Sequence, residues 1–215
     1  MRKLNRNQAP VCLSRYKHGT HNWADLTSQD RAEIWTALKE MQGDNCAYCE
    51  AGIDEKDRHI EHFRQKGRDA RVTFQWDNLF GSCNRYESCG RHKDRCGVYD
   101  PAVLIKPDTD EPDDYWVFVT DGTIRARSGL DAQQLVRAEE SLRIFNIDAE
   151  RGKLRSKRRE AVRGYLETAE VLAELFEEAG PQAWQQLVDE ELSATQGQPF
   201  ATAIRHVLTG AWRRV

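Results

Sequence analysis

The chain has 215 residues, 39% hydrophobic and 31% charged, with a formal net charge of −3 and a pI near 6.1. That composition describes one water-borne globular core with appendages. No apolar run approaches the roughly eighteen residues a membrane span needs, which predicts a cytoplasmic protein without a membrane partner. A pI below neutrality excludes a general positive field, so any polyanion must be met by basic residues gathered locally or supplied by a partner.

In chain order, Met-Arg-Lys-Leu-Asn-Arg-Asn-Gln opens the sequence without an apolar leader, so nothing there directs it to an oxidising compartment. Asp25-Leu26-Thr27-Ser28-Gln29-Asp30 is a helix-start signal; Ile34, Trp35, Leu38 and Met41 recur at helical spacing until Gly43, which predicts a helix packed on the segment that follows. Arg58-His59-Ile60-Glu61-His62-Phe63 alternates as a short strand, followed by the turn signal Arg64-Gln65-Lys66-Gly67-Arg68. Pro101 to Asp114 reads as an exposed acidic connection. Tyr115 to Thr120 and Thr123 to Arg127 then predict a hairpin about Asp121-Gly122. Beyond Ser128 the pattern is helical. One stripe runs from Leu130 to Phe145, a second from Ala161 to Phe176 with a stop at Gly180-Pro181, a third from Trp184 to Leu192, and a last from Phe200 to Leu208. These stripes read as core and docking surface, without chemistry of their own.

The chemistry is concentrated within about fifty residues. Cys46-Ala47-Tyr48-Cys49 places two thiolates on one knuckle, and Cys83 with Cys89 supplies a second pair, together an S4 set that fits zinc. The second pair is widely spaced, so Asn84 to Ser88 must bulge as a loop, and Cys96 stands as an alternative to Cys89. Cys12 reads as an ordinary buried residue. A structural zinc contributes about 10–16 kcal/mol against a domain stability of about 5–15 kcal/mol, so this segment should not hold its shape without metal. Along the alternating strand, His59 and Glu61 share a face, and His62 looks elsewhere unless the chain turns.

Taken together, C-x2-C, the Glu61-His62 dipeptide, Asn78-Leu79 and a cysteine-containing turn with Lys93 four residues after Cys89 resemble the HNH nucleases. Pro10-Val11-Cys12-Leu13, Tyr16-Lys17-His18-Gly19, Cys89-Gly90-Arg91-His92-Lys93-Asp94, and Tyr99-Asp100-Pro101 with Leu104 to Asp108 are similar to the HNH subunit of Septu-type antiphage defence systems, including retron-linked versions. That resemblance covers most of the first 125 residues. It implies an α+β fold: a zinc-stapled ββα-metal core over 44–100, an N-terminal segment and helix over 1–43, and a hairpin plus helical region over 101–215.

The resemblance also implies roles: His62 as the general base that activates the attacking water, Asn78 as a backbone tether for the His62 loop, and Glu61 as ligand to a catalytic Mg or Mn. The family places its second metal ligand directly after the last zinc cysteine; Gly90 stands there. His92 is then the favoured second ligand, and the competing readings give that role to His59 or put His92 on the zinc. Arg58, Arg64, Lys66, Arg68 and Arg71 surround the strand as phosphate contacts, with Lys93 a further one. A second basic run, Arg151 to Arg159 with Arg163 beyond it, reads as a solvated helix face. No P-loop occurs, so nucleotide hydrolysis would belong to the partner that the resemblance implies, an SMC-like or ABC-like ATPase. The expected function is a metal-dependent endonuclease acting on DNA or RNA; the alternative is a zinc-binding adaptor that tethers nucleic acid or protein without chemistry.

Overall fold

The computed structural model describes residues 1–150 and 152–214, so Arg151, at the head of the second basic run, lies outside the described residues. The fold is α+β, with two small antiparallel hairpins set among helices.

The first helix, α1 (Ser28–Gln42), starts three residues later than the acidic signal at Asp25. Asp25 belongs to a short turn, and Thr27 caps the helix in a reciprocal box with Asp30. Ile34, Leu38 and Met41 are buried, whereas Trp35 stays partly open with the Arg58 guanidinium 4.2 Å from its ring. At its C-terminal end, Gln42 joins the next layer. Its amide donates to the carbonyls of Asn45 (2.6 Å) and Gly81 (2.9 Å), and its oxygen accepts from Gly81 N–H (2.9 Å).

Strands β1 (Arg58–His62) and β2 (Leu79–Cys83) pair antiparallel with Arg58 opposite Cys83 and His62 opposite Leu79. Helix α2 (Cys89–Arg95) follows directly and packs on β2 and on α3 (Ala132–Phe145). The predicted hairpin is present but short: β3 (Trp116–Phe118) and β4 (Ile124–Ala126) are joined through Asp121-Gly122. Only glycine suits position 122, where φ is +88° and an added Cβ would fall 2.1 Å from the Arg155 carbonyl oxygen.

The second apolar stripe does not form one helix. It is divided into α4 (Leu154–Arg163) and α5 (Leu166–Thr195), because the chain leaves the helical path at Gly164-Tyr165 while its apolar spacing stays nearly in phase. The stop at Gly180 is present as a kink inside α5 (φ 80°, ψ 174°), after which Pro181 restarts the helix. Helix α6 (Ala201–Leu208) packs against α4, α5 and β3, and a short turn (Ala211–Arg214) ends the described chain. Leu4, Ile34, Phe80, Phe145, Trp116 and Ile204, drawn from every part of the chain, join one buried cluster. Tyr48 of the cysteine knuckle stacks on Phe145 of α3 at 4.3 Å. In the basic run, Arg158 is fully buried, donating to the carbonyls of Gly122 and Ile147, and Arg155 pairs with Asp148 at 2.8 Å. Those two cations therefore serve packing, while Lys157, Arg159 and Arg163 are exposed.

Candidate functional site

Four cysteines converge where the two strands meet α2. The sulfurs of Cys46, Cys49, Cys83 and Cys89 all lie within 4.8 Å of one another and are buried to within 1%. Zinc–sulfur bonds of about 2.3 Å space tetrahedral ligands about 3.8 Å apart, so this donor set fits a structural zinc. Local backbone geometry prepares it. Cys46 N–H donates to the Ala51 carbonyl (2.9 Å) and Glu50 N–H to the Cys46 carbonyl (3.0 Å), and both Glu50 and Cys89 adopt left-handed φ values near 60°. Burial and the neighbouring sulfurs hold the Cys89 thiol far above its ordinary range. Burial also raises Cys46, but hydrogen bonds from Cys49, Cys83 and Cys89 outweigh it and leave that thiol well below its ordinary value. A cation is what allows four such groups to ionise together.

Cys96 does not replace Cys89. It lies at the far end of α2, its sulfur 3.5 Å from His92 Nδ1 and 3.8 Å from the Ile144 carbonyl oxygen. Residues 92 and 96 are one helical turn apart and share the face of α2 that looks at α3. His92 accordingly donates from Nδ1 to the Ile144 carbonyl (2.9 Å), and the structure does not bring it to Glu61 or to the four clustered cysteines.

The opposite face of α2, carrying Gly90 and Lys93 three residues apart, meets Glu61. The Glu61 carboxylate, 2% exposed, has His59 Nε2 at 3.0 Å from one oxygen and Lys93 Nζ at 2.8 Å from the other. Burial raises the Glu61 carboxyl, but the Lys93 charge overcomes it and holds the group below its ordinary value; burial likewise lowers Lys93, and Glu61 raises it above the usual ammonium range. Both groups are therefore charged. Lys93 is 0% exposed, so it cannot be the surface phosphate contact expected of it; its ammonium is spent on Glu61 and Asp94. His59 and Glu61 share a strand face as alternation predicts, joined by a 3.0 Å hydrogen bond, and together they offer one imidazole nitrogen and one carboxylate as donors that could hold a divalent cation. His59, not His92, is thus the histidine beside the carboxylate.

His62 points to the other side of β1. A carbonyl oxygen can only accept, so His62 Nε2 carries the proton donated to Thr73 (3.0 Å), which leaves Nδ1 as the acceptor nitrogen. The Trp23 ring meets the imidazole edge-on at 4.4 Å. Burial chiefly, then the nearby Lys66 charge, lowers the His62 pKa to about 4, against a partial rise from the Thr73 bond. The ring is neutral at pH 7.

Asn78 ties down the loop between β1 and β2. Its side-chain oxygen accepts from Arg64 N–H (2.7 Å), and its amide donates to the carbonyls of Arg64 (3.0 Å) and Val72 (3.2 Å). Arg64, Lys66 and Arg68 project from that loop and are exposed, although Arg68 donates to the Gly97 carbonyl (2.7 Å). Trp23 and Thr73 escaped the sequence reading, since they lie 39 and 11 residues from His62 in irregular segments. Gly90 stood out only as a departure. Its role is space: a Cβ there would fall 2.3 Å from Glu61 Oε2.

No family model matches the chain. Over 117 residues, 53% of its length, it is 29% identical to the Septu protein PtuB of Bacillus thuringiensis; the match takes in 41% of that relative, so the chain spans less than half the length of the curated protein it resembles.

Proposed function

We propose that this protein is a metal-dependent endonuclease of the HNH type and the nuclease subunit of a Septu-type antiphage complex, working beside an ATPase. The supporting observation is the arrangement around β1: a four-sulfur staple on one side, the His59–Glu61 pair facing α2, and His62 with one nitrogen bonded and one free. Sequence likeness to a Septu protein supports the defence assignment.

In this reading His62 Nδ1 takes a proton from water attacking a phosphodiester; burial keeps the imidazole neutral at pH 7 and so able to accept it. Thr73 fixes the tautomer and Trp23 the ring plane. Asn78 holds the loop that carries Thr73. Glu61 and His59 would hold Mg or Mn, which when bound supplies charge to the transition-state phosphate and the leaving oxygen. Lys93 keeps the Glu61 carboxylate ionised and aimed at α2.

One observation favours the adaptor reading: Lys93 already neutralises Glu61 in the protein interior, and position 90 offers no ligand. The readings separate in a single series with DNA and RNA substrates. His62→Ala abolishes divalent-dependent cleavage while zinc content and circular dichroism stay unchanged; cleavage that persists in this variant, or is absent from the wild type with its ATPase present, refutes the nuclease reading.

A further inference from the structure

A cleft of about 480 Å³ opens beside His62, between the loop preceding α1 and the loop following β1. Two of its lining residues, Trp23 and Thr73, also touch the buried His62 imidazole, so the cleft lies one residue layer from the proposed base. None of its ten lining residues is acidic. The nearby carboxylates are engaged: Asp25 accepts from Asn22 N–H (2.7 Å) and Asp69 pairs with Arg71 (2.8 Å).

The far wall is a pre-shaped turn. Thr20 and His21 N–H both donate to the Lys17 carbonyl (3.2 and 3.0 Å), Gly19 supplies the left-handed φ of +83°, and His21 Nδ1 accepts from Lys17 N–H (3.1 Å). An imidazole that accepts at Nδ1 carries its proton on Nε2, which makes His21 a donor. With Lys66, Asn22 and Thr20, the cleft therefore presents a surplus of donors and positive charge, the complement of a phosphodiester.

We propose that the loop 17–23 is a strand-binding wall: His18, Thr20, His21 and Asn22, with Lys66 opposite, seat the phosphodiester adjoining the one presented to His62. This rests on the reading of His62 as the base.

The test uses the full zinc-loaded protein, without added divalent cation, and fluorescein-labelled 12-nucleotide DNA and RNA strands of one sequence, read by anisotropy against salt. Thr20 is exposed, so Thr20→Glu and Thr20→Lys change charge without disturbing the core. Thr20→Glu weakens binding of at least one strand type by about fivefold or more and Thr20→Lys tightens it; Lys66→Ala weakens it and lowers the salt slope by about 0.7. Gln182→Glu, an equal charge change on exposed α5 outside the cleft, stays within twofold. His62→Ala binds as wild type and, in parallel reactions supplied with Mg or Mn and the ATPase, does not cut. Equal loss in Thr20→Glu and Gln182→Glu, no loss in Thr20→Glu, or no measurable wild-type binding at low salt overturns the proposal. Should Thr20 variants shift affinity while His62→Ala cuts normally, the cleft stands and the catalytic reading falls; the reverse pattern removes the cleft alone.

Discussion

Replacing Gly90 by alanine probes the packing beneath the Glu61 carboxylate. An added Cβ falls 2.3 Å from Glu61 Oε2, 2.5 Å from Cδ and 2.9 Å from Cγ, all closer than real contacts allow. Glu61 cannot swing away freely, because it is 2% exposed and held by His59 at 3.0 Å and by Lys93 at 2.8 Å. Displacing it leaves the buried Lys93 ammonium with the half-exposed Asp94 as its remaining carboxylate, and breaking a buried pair in this way costs about 3–5 kcal/mol. Alanine returns up to about 1 kcal/mol of helix propensity, leaving a net loss of about 2–4 kcal/mol. For a chain of this size that lowers the melting temperature by roughly 5–15 °C. The assay is thermal unfolding by circular dichroism at fixed protein and zinc concentration. Gly97→Ala serves as control, since a Cβ there meets nothing within 4 Å. A Gly90→Ala protein that melts with the wild type, while retaining its zinc, would refute the assignment of Gly90 as space for an ion-paired carboxylate.

Cys89→Ser should lose the zinc that Cys96→Ser retains at one ion per chain, measured by metal analysis after denaturation, because Cys96 faces α3 rather than the sulfur cluster. Asn78→Ala removes three hydrogen bonds from a buried position and leaves backbone groups of the loop unpaired, a loss of about 2–4 kcal/mol; amide exchange should accelerate through residues 63–73, and unchanged protection there would count against the tether. Asp113 is held down to about 2 against burial by His206 and Arg205 of α6. A carboxyl lowered in the folded state stabilises above its unfolded value and loses that contribution as pH falls from about 4 to about 2. Asp113→Asn should accordingly destabilise by about 2 kcal/mol at pH 7 and progressively less toward pH 2, read from denaturant midpoints; a pH-independent difference would exclude the ion pairs as its origin.

The parts of the site legible in the sequence were those fixed by short-range geometry. C-x2-C spacing set the knuckle, and strand alternation put His59 and Glu61 on one face with His62 on the other. What the sequence did not disclose was the phase of α2. Cys89 and Cys96 are seven residues apart and lie on similar sides of an ideal helix, so only the bulge at 84–88 and the left-handed Cys89 decide which sulfur reaches the cluster. The same phase turns His92 toward Ile144 and Lys93 inward, which is why one fell outside the expected metal site and the other left the surface. In the C-terminal half, an unbroken apolar stripe concealed the break between α4 and α5, because hydrophobic periodicity registers which face is buried and not whether the backbone between two turns stays helical.

The four-cysteine cluster and the proposed catalytic face are mechanically one object. Cys83 ends β2 and Cys89 begins α2, so a metal held between them and the knuckle would set where α2 starts and how it is rotated. That rotation places Gly90 and Lys93 beneath Glu61, and Glu61 sits on the strand paired with β2. Since a structural zinc contributes about as much free energy as a whole domain's net stability, removing it should disorganise the Glu61–Lys93 pair before it reaches the Trp116 and Phe118 hairpin, which is buried against α6 without help from sulfur. Hydrogen exchange during chelation resolves that order: protection lost first across 46–95 and later across 116–126 is the expected sequence, and simultaneous loss would mean the metal stabilises the whole core rather than the candidate site.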